Sequence, residues 1–499
     1  MASISIHILD DDSLLNVFRL YRITLFDEDE TEIFREEWVS ERWWYKLTHV
    51  CQRWRCLILG SASHLDLCLL CTYHTPVADM LAHSPPLPIV VDHLEAYYEK
   101  PANSEDEAGI LIALLQRSRV RRIRLCVGVS DLQMLIAAID DELPMLEYLC
   151  IVPQIEWNKG WILPSRFQAP HIRYLMLTEF ALPIQSLLLT TGTSLVALAL
   201  NSIDPSTHFG PNNLLQWLSM MHHLQSLEIS PNWTWIDFHS PVPENDVNGQ
   251  PLITTHVTLP NLRSFAFQGQ SAYLEALLPH ITTPLLEKLY IRPLEQRELS
   301  VPHLLQFVIT TENLTGWLRS AVLRFTTWDA SVELYPDVGA QTYSLCLCIW
   351  GSGRDRQGAF PARVLDVLRP VLSEVVHLTL EYQPELARRS NQPDHTYWRK
   401  VLGAFGNVKT LSMHNDFVGE VSRSLQFDDG ESSADLLPEL SKLECYGSGD
   451  ASDAFAPFID ARKNAGRPLI LVPSEHFPFR NKTIRLRIPS PFEKNFLIL

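Results

Sequence analysis

The chain has 499 residues, 46% of them apolar, and a formal net charge of −17. That apolar content belongs to a folding chain rather than a disordered one. With no long basic run, a nucleic-acid partner is not expected. No apolar run reaches eighteen residues and the N-terminus carries Asp10, Asp11 and Asp12 instead of a basic segment. Neither a membrane span nor a secretory leader is therefore expected. The nine cysteines are expected to stay reduced, in cytoplasm or nucleus.

Two short amphipathic helices open the chain. Asp10–Ser13 suits a helix N-terminus, where free N–H groups and the helix dipole favour oxygen atoms. Leu14, Leu15, Val17, Phe18 and Tyr21 then form an apolar face. In Leu47–Ile58 the apolar residues fall at 47, 50, 51, 54, 57 and 58, one face of a second helix. Taken alone, such a face is ordinarily the core of its own domain. Two helices this short cannot make one, so they must pack on something else. The stretch between them, 27–41, is acidic and is expected to be an exposed, mobile insertion.

A leucine-rich first helix followed by Val50-Cys51-x-x-Trp54-Arg55-x-Leu57-Ile58 resembles an F-box, the module that docks substrate receptors onto the Skp-type adaptor of SCF ubiquitin ligases. The likeness covers residues 1–65. Asp10 stands where the family usually has proline, and 27–41 is an insertion. The resemblance implies adaptor binding through Leu9, Leu14, Leu15, Val17, Phe18, Leu47, Val50, Cys51, Trp54, Leu57 and Ile58. Through the adaptor it implies a cullin scaffold, with an unknown protein as substrate. The next run, through Ser84–Val90, is similar to the segment after the F-box in many fungal F-box proteins. Residues 66–117, with the proline-rich Ser84–Pro88, read as a linker leading into an array.

From 118 to 466 a unit recurs, apolar-x-x-apolar-x-apolar. Its copies begin at Val120, Leu146, Ile172, Leu195, Leu224, Leu262, Leu286, Val375, Val408 and Leu440. The closing alternation is a strand signature. Proline stands two residues ahead in five copies (Pro144, Pro170, Pro260, Pro284, Pro438), where it costs no ladder bond. Helical patterns alternate with the strands at 108–117, 131–139, 213–221, 271–278, 362–368 and 397–405. Strand–helix alternation predicts an α/β fold with parallel strands and helices outside. The spacings 26, 26, 23, 29, 38 and 24 lie in the leucine-rich-repeat range, without the asparagine or cysteine that usually ladders the turns. The pattern resembles the degenerate repeats of F-box receptors. One curved parallel sheet is expected, with Leu175, Leu177, Leu198, Leu200, Leu227, Phe265, Leu289, Leu378 and Leu411 in a continuous core. Residues 292–374 break the period, with Ala321–Phe325 and Tyr343–Trp350 as two worn copies. Arg117–Arg124 reads as a strand with one solvated face. The array ends in a helix near 454–466; the tail from 467 has no assignable role.

Candidate chemistry is sparse. Asp27-x-Asp29-x-Thr31 resembles the nucleophile motif of haloacid-dehalogenase-type phosphatases. Seven of the eleven residues Asp27–Glu37 are acidic, however, so a chance match is favoured over a catalytic one. Cys68-x-x-Cys71 has the spacing of half a zinc site, and no second pair follows. Cys346 and Cys348 share one face of a strand, which reads as packing, and His222-His223 reads as a turn. No catalytic, cofactor-binding or metal-binding residue is expected, and no cofactor. The expectation is a non-enzymatic substrate receptor. The rival is a repeat scaffold outside any ligase, whose N-terminal helices merely cap the array.

Overall fold

Each copy of the repeat places a bulky apolar residue ahead of a strand and two more within it, and this governs the architecture. The computed structural model describes residues 8–23, 43–93, 104–126, 128–139, 141–153, 161–181, 186–203, 210–231, 253, 255–293, 301–316, 318–325, 329–338, 340, 342–350, 365, 368–382, 395–425, 436–446 and 452–474. The fold is mixed α/β. It divides into two compact units, Met1–Phe209 with Ile488–Leu499, and Gly210–Arg487.

The first unit opens with three helices: α1 (Asp11–Ile23), α2 (Trp43–Thr48) and α3 (Gln52–Gly60). Its strands are β1 (Leu69–Cys71), β2 (Ile89–His93), β3 (Val120–Leu125), β4 (Tyr148–Ile151), β5 (Trp161–Ile162), β6 (Tyr174–Thr178), β7 (Phe180–Ala181) and β8 (Ala197–Ile203). The order β1-β2-β3-β4-β6-β8 is parallel throughout. β5 and β7 pair separately. Helices Val77–His83, Ser104–Leu114 and Val129–Ala138 supply crossovers that parallel neighbours require. The sheet therefore begins inside 66–117, read from sequence as a linker.

The repeat sets the register. Leu149, Leu175 and Leu198 align across three strands, as do Ile151, Leu177 and Leu200. All six are buried, and so are the leading residues Leu146, Ile172 and Leu195. Main-chain hydrogen bonds, Glu147 N–H to Arg121 O (2.8 Å), Arg173 N–H to Glu147 O (2.8 Å) and Val196 N–H to Arg173 O (2.7 Å), run from copy to copy where the strands begin. The arginine-rich strand is less solvated than its alternation suggested. Arg124 is buried against Asp92 at 3.0 Å, and Arg121 binds Asp66 and, at 3.0 Å, Glu147.

The second unit contains β9 (Ser226–Pro231), β10 (Val257–Thr258), β11 (Ser264–Gly269), β12 (Ile281–Thr282), β13 (Lys288–Pro293), β14 (Ser320–Phe325), β15 (Asp329–Tyr335), β16 (Leu345–Trp350), β17 (His377–Tyr382), β18 (Thr410–His414), β19 (Lys442–Tyr446) and β20 (Ile470–Ser474). Its sheet order is β9-β11-β13-β16-β15-β14-β17-β18-β19-β20, with β10 paired to β12. Leu227, Phe265, Leu289 and Leu345 align, as do Leu378, Leu411, Leu443 and Leu471. The sheet is not parallel throughout, as the sequence had suggested. After β13 the chain passes over two places to form β14, then returns through antiparallel β15 to β16, which docks parallel on β13. That detour is why the period fails in 292–374. The two worn copies are β14 and β16, and β15 between them carries no copy of the unit. β20 extends the sheet past 466.

The nine expected core residues are all buried, four in the first unit and five in the second. The acidic stretch 27–41, with Asp27 and Asp29, lies outside the described residues, as does the tail after Ser474. Among the described residues no helix is long and apolar enough to cross a membrane.

Candidate docking surface

The helix pattern over Leu47–Ile58 is two helices rather than one. The chain turns at His49–Val50, where His49 N–H donates to Lys46 O and Val50 N–H to Leu47 O. Cys51 is extended and caps α3, its Sγ accepting from Trp54 N–H at 3.5 Å. Arg55 Nε donates back to Thr48 O at 3.0 Å and braces the turn. Asp10 caps α1: its Oδ1 accepts from Ser13 N–H at 2.7 Å. Hydrogen bonds from Ser13 hold its carboxyl below the usual carboxylate range.

The eleven residues named from the resemblance do not share one exposure. Leu14, Phe18, Trp54 and Ile58 are buried in a common core with Trp43, Trp44, Leu65, Leu67, Leu69 and Leu87. Phe18 meets Trp54 edge to face at 4.8 Å. Leu9, Leu15, Leu47, Cys51 and Leu57 are half-buried against that core. Only Val17 and Val50 (59% exposed) stand in solvent. The signature residues are thus chiefly the packing of the helices and of the first strand. They are not an open face.

Val17 and Val50 are joined in the open by three residues outside the eleven. Val17 and Leu20 (60% exposed) lie three apart on the outward face of α1, and Tyr21, four on from Val17, is partly exposed with its ring tilted against that of Trp43 at 6.5 Å. Tyr45 (58% exposed) lies on α2, and Val50 at the turn. Leu20 and Tyr45 were missed from sequence, although the step from Val17 to Leu20 and Tyr21 carries the signal. α1 is apolar on two sides, and only packing decides which is turned inward. Isolated exposed apolar residues are ordinary. Five of them fall on one small helical module, where a contiguous apolar patch would mark a binding site.

The other candidates hold little chemistry. Cys68 and Cys71 are buried, and among the described residues no group of three or more His, Cys, Asp or Glu is placed to hold a metal ion. Burial pushes the thiols of Cys126 and Cys150 up to about 12, which makes poor nucleophiles. His222-His223 forms a turn, with His222 O accepting from Asn261 Nδ2. Cys346 and Cys348 are both buried in β16. No protein-family model matches the chain, and no curated protein matches it in sequence.

Proposed function

We propose that the chain is a non-enzymatic substrate receptor of an SCF-type ubiquitin ligase, working in cytoplasm or nucleus. Its N-terminal helices dock on a Skp-type adaptor, and through it on a cullin; the β/α units recognise a protein substrate. The observation that carries this reading is the exposure of Val17, Leu20, Tyr21, Tyr45 and Val50 on a module resembling an F-box. Large apolar and aromatic side chains of this kind carry most of an interface's affinity, about 2 kcal/mol or more each when truncated.

The test is affinity purification of the full chain with mass spectrometry. Adaptor and cullin should co-elute with the wild type. Val17→Asp with Leu20→Asp should remove both while leaving the circular dichroism spectrum unchanged.

The second reading is a scaffold outside any ligase, with α1–α3 as the cap of the first sheet. One observation favours it: the helical core continues without a break into Leu65, Leu67, Leu69 and Leu87 beside the first strands. A well-folded wild type that retains neither adaptor nor cullin would establish that reading instead.

A further inference from the structure

The residues that set α1 against α3 have no place in the docking face itself. Among the described residues, two attachments join these helices. One is apolar: Leu14 and Phe18 bury against Trp54 and Ile58. Apolar burial is non-directional, so by itself it allows a short helix to roll and slide. The other is polar and directional. Arg53, in the first turn of α3, reaches the start of α1 with a guanidinium fork. Its Nη2 and Nε meet Asp11 Oδ1 at 2.7 and 3.1 Å, and Nη2 also donates to Leu9 O at 2.7 Å. A fork holding a carboxylate and a main-chain oxygen together fixes angle as well as distance.

We propose that Asp11 and Arg53 are positioning residues, a clamp that sets where Val17, Leu20 and Tyr21 stand relative to Tyr45 and Val50. Asp10 is committed to capping α1, which leaves Asp11 to meet Arg53. Both side chains are partly in solvent, so removing the pair leaves the fold intact and loosens only α1. The proposal rests on the reading of that face as a docking surface.

The test uses the full chain in two assays. In hydrogen exchange without any partner, Arg53→Gln should speed exchange of the amides of Val17–Tyr21 about threefold or more, with the sheet amides unchanged. In titration with purified Skp-type adaptor, Arg53→Gln and Asp11→Asn should each weaken binding about three- to fivefold. The double variant should be no weaker than either single one. Unchanged exchange in Arg53→Gln overturns the clamp, as do additive losses in the double variant. If the wild type does not bind the adaptor, the proposed function fails while the exchange assay alone decides the clamp.

Discussion

His93 offers the sharpest test of the packing in the first unit. It ends β2 at 1% exposure, with neither ring nitrogen hydrogen-bonded. The Tyr73 ring lies 4.4 Å away, edge-on, and the Tyr73 hydroxyl and Cys126 N–H both donate to the His93 main-chain oxygen. Burial pushes the imidazole down to about 4, Asp106 pulling the other way. In the unfolded chain it titrates near 6.5. Above that pH neither state carries the proton and stability is complete. Between about 6.5 and 4 the unfolded chain takes a proton that the folded chain refuses, so stability falls as pH falls; below 4 the loss stops growing. At about 1.4 kcal/mol per pH unit the whole window is worth about 3 kcal/mol, of which about 2 is lost between pH 7 and 5. Urea unfolding of wild type and His93→Leu at pH 7, 6 and 5 reads this directly, because the difference between them cancels every other titrating group. The variant should gain on the wild type by about 2 kcal/mol across that range. Parallel curves would refute the argument and show that the ring is solvated or paired.

The packing sets three further outcomes. Leu14→Ala should destabilise the N-terminal module by about 2–5 kcal/mol, and Leu20→Ala by less than about 0.5 kcal/mol, measured by thermal melting. Arg462 is buried and donates to the carbonyl oxygens of Leu437 (3.1 Å), Pro438 (3.0 Å) and Leu440 (2.7 Å); Arg462→Ala should cost about 3 kcal/mol in urea unfolding, and Arg462→Lys should recover little, since an ammonium cannot span the three. Glu275 accepts from His303 N–H (2.8 Å) and Leu304 N–H (2.9 Å) at the start of helix Pro302–Thr310; Glu275→Ala should cost about 1 kcal/mol and speed exchange of those two amides.

Register was the most legible part of the sequence. A leading leucine, two spacers and an alternating pair place Leu149, Leu175 and Leu198 level, because a one-residue slip would turn each copy's apolar pair out of the core. The strands that escaped lack that device. β1 is only Leu-Leu-Cys, and β15 runs antiparallel and borrows its partners from both sides. At the docking surface, periodicity marked apolar residues on α1 without telling inward from outward. Leu14 and Phe18 face Trp54, Val17 and Leu20 face solvent, and a pattern of residue types is the same for both. The break at His49–Val50 was equally silent, since the spacing of apolar residues continues through it.

The return path through β15 has a cost during synthesis. β13 ends at Pro293 and its sheet neighbour β16 begins at Leu345, so 52 residues (345 − 293) must emerge before that edge can be paired. At about 5–20 residues per second, the edge carrying Leu289 and Ile291 stays open for about 3–10 seconds. An unpaired apolar edge is a template for any passing strand. The nascent second unit is therefore most exposed to misassembly in that interval, and a ribosome stalled between codons 293 and 345 would hold it there.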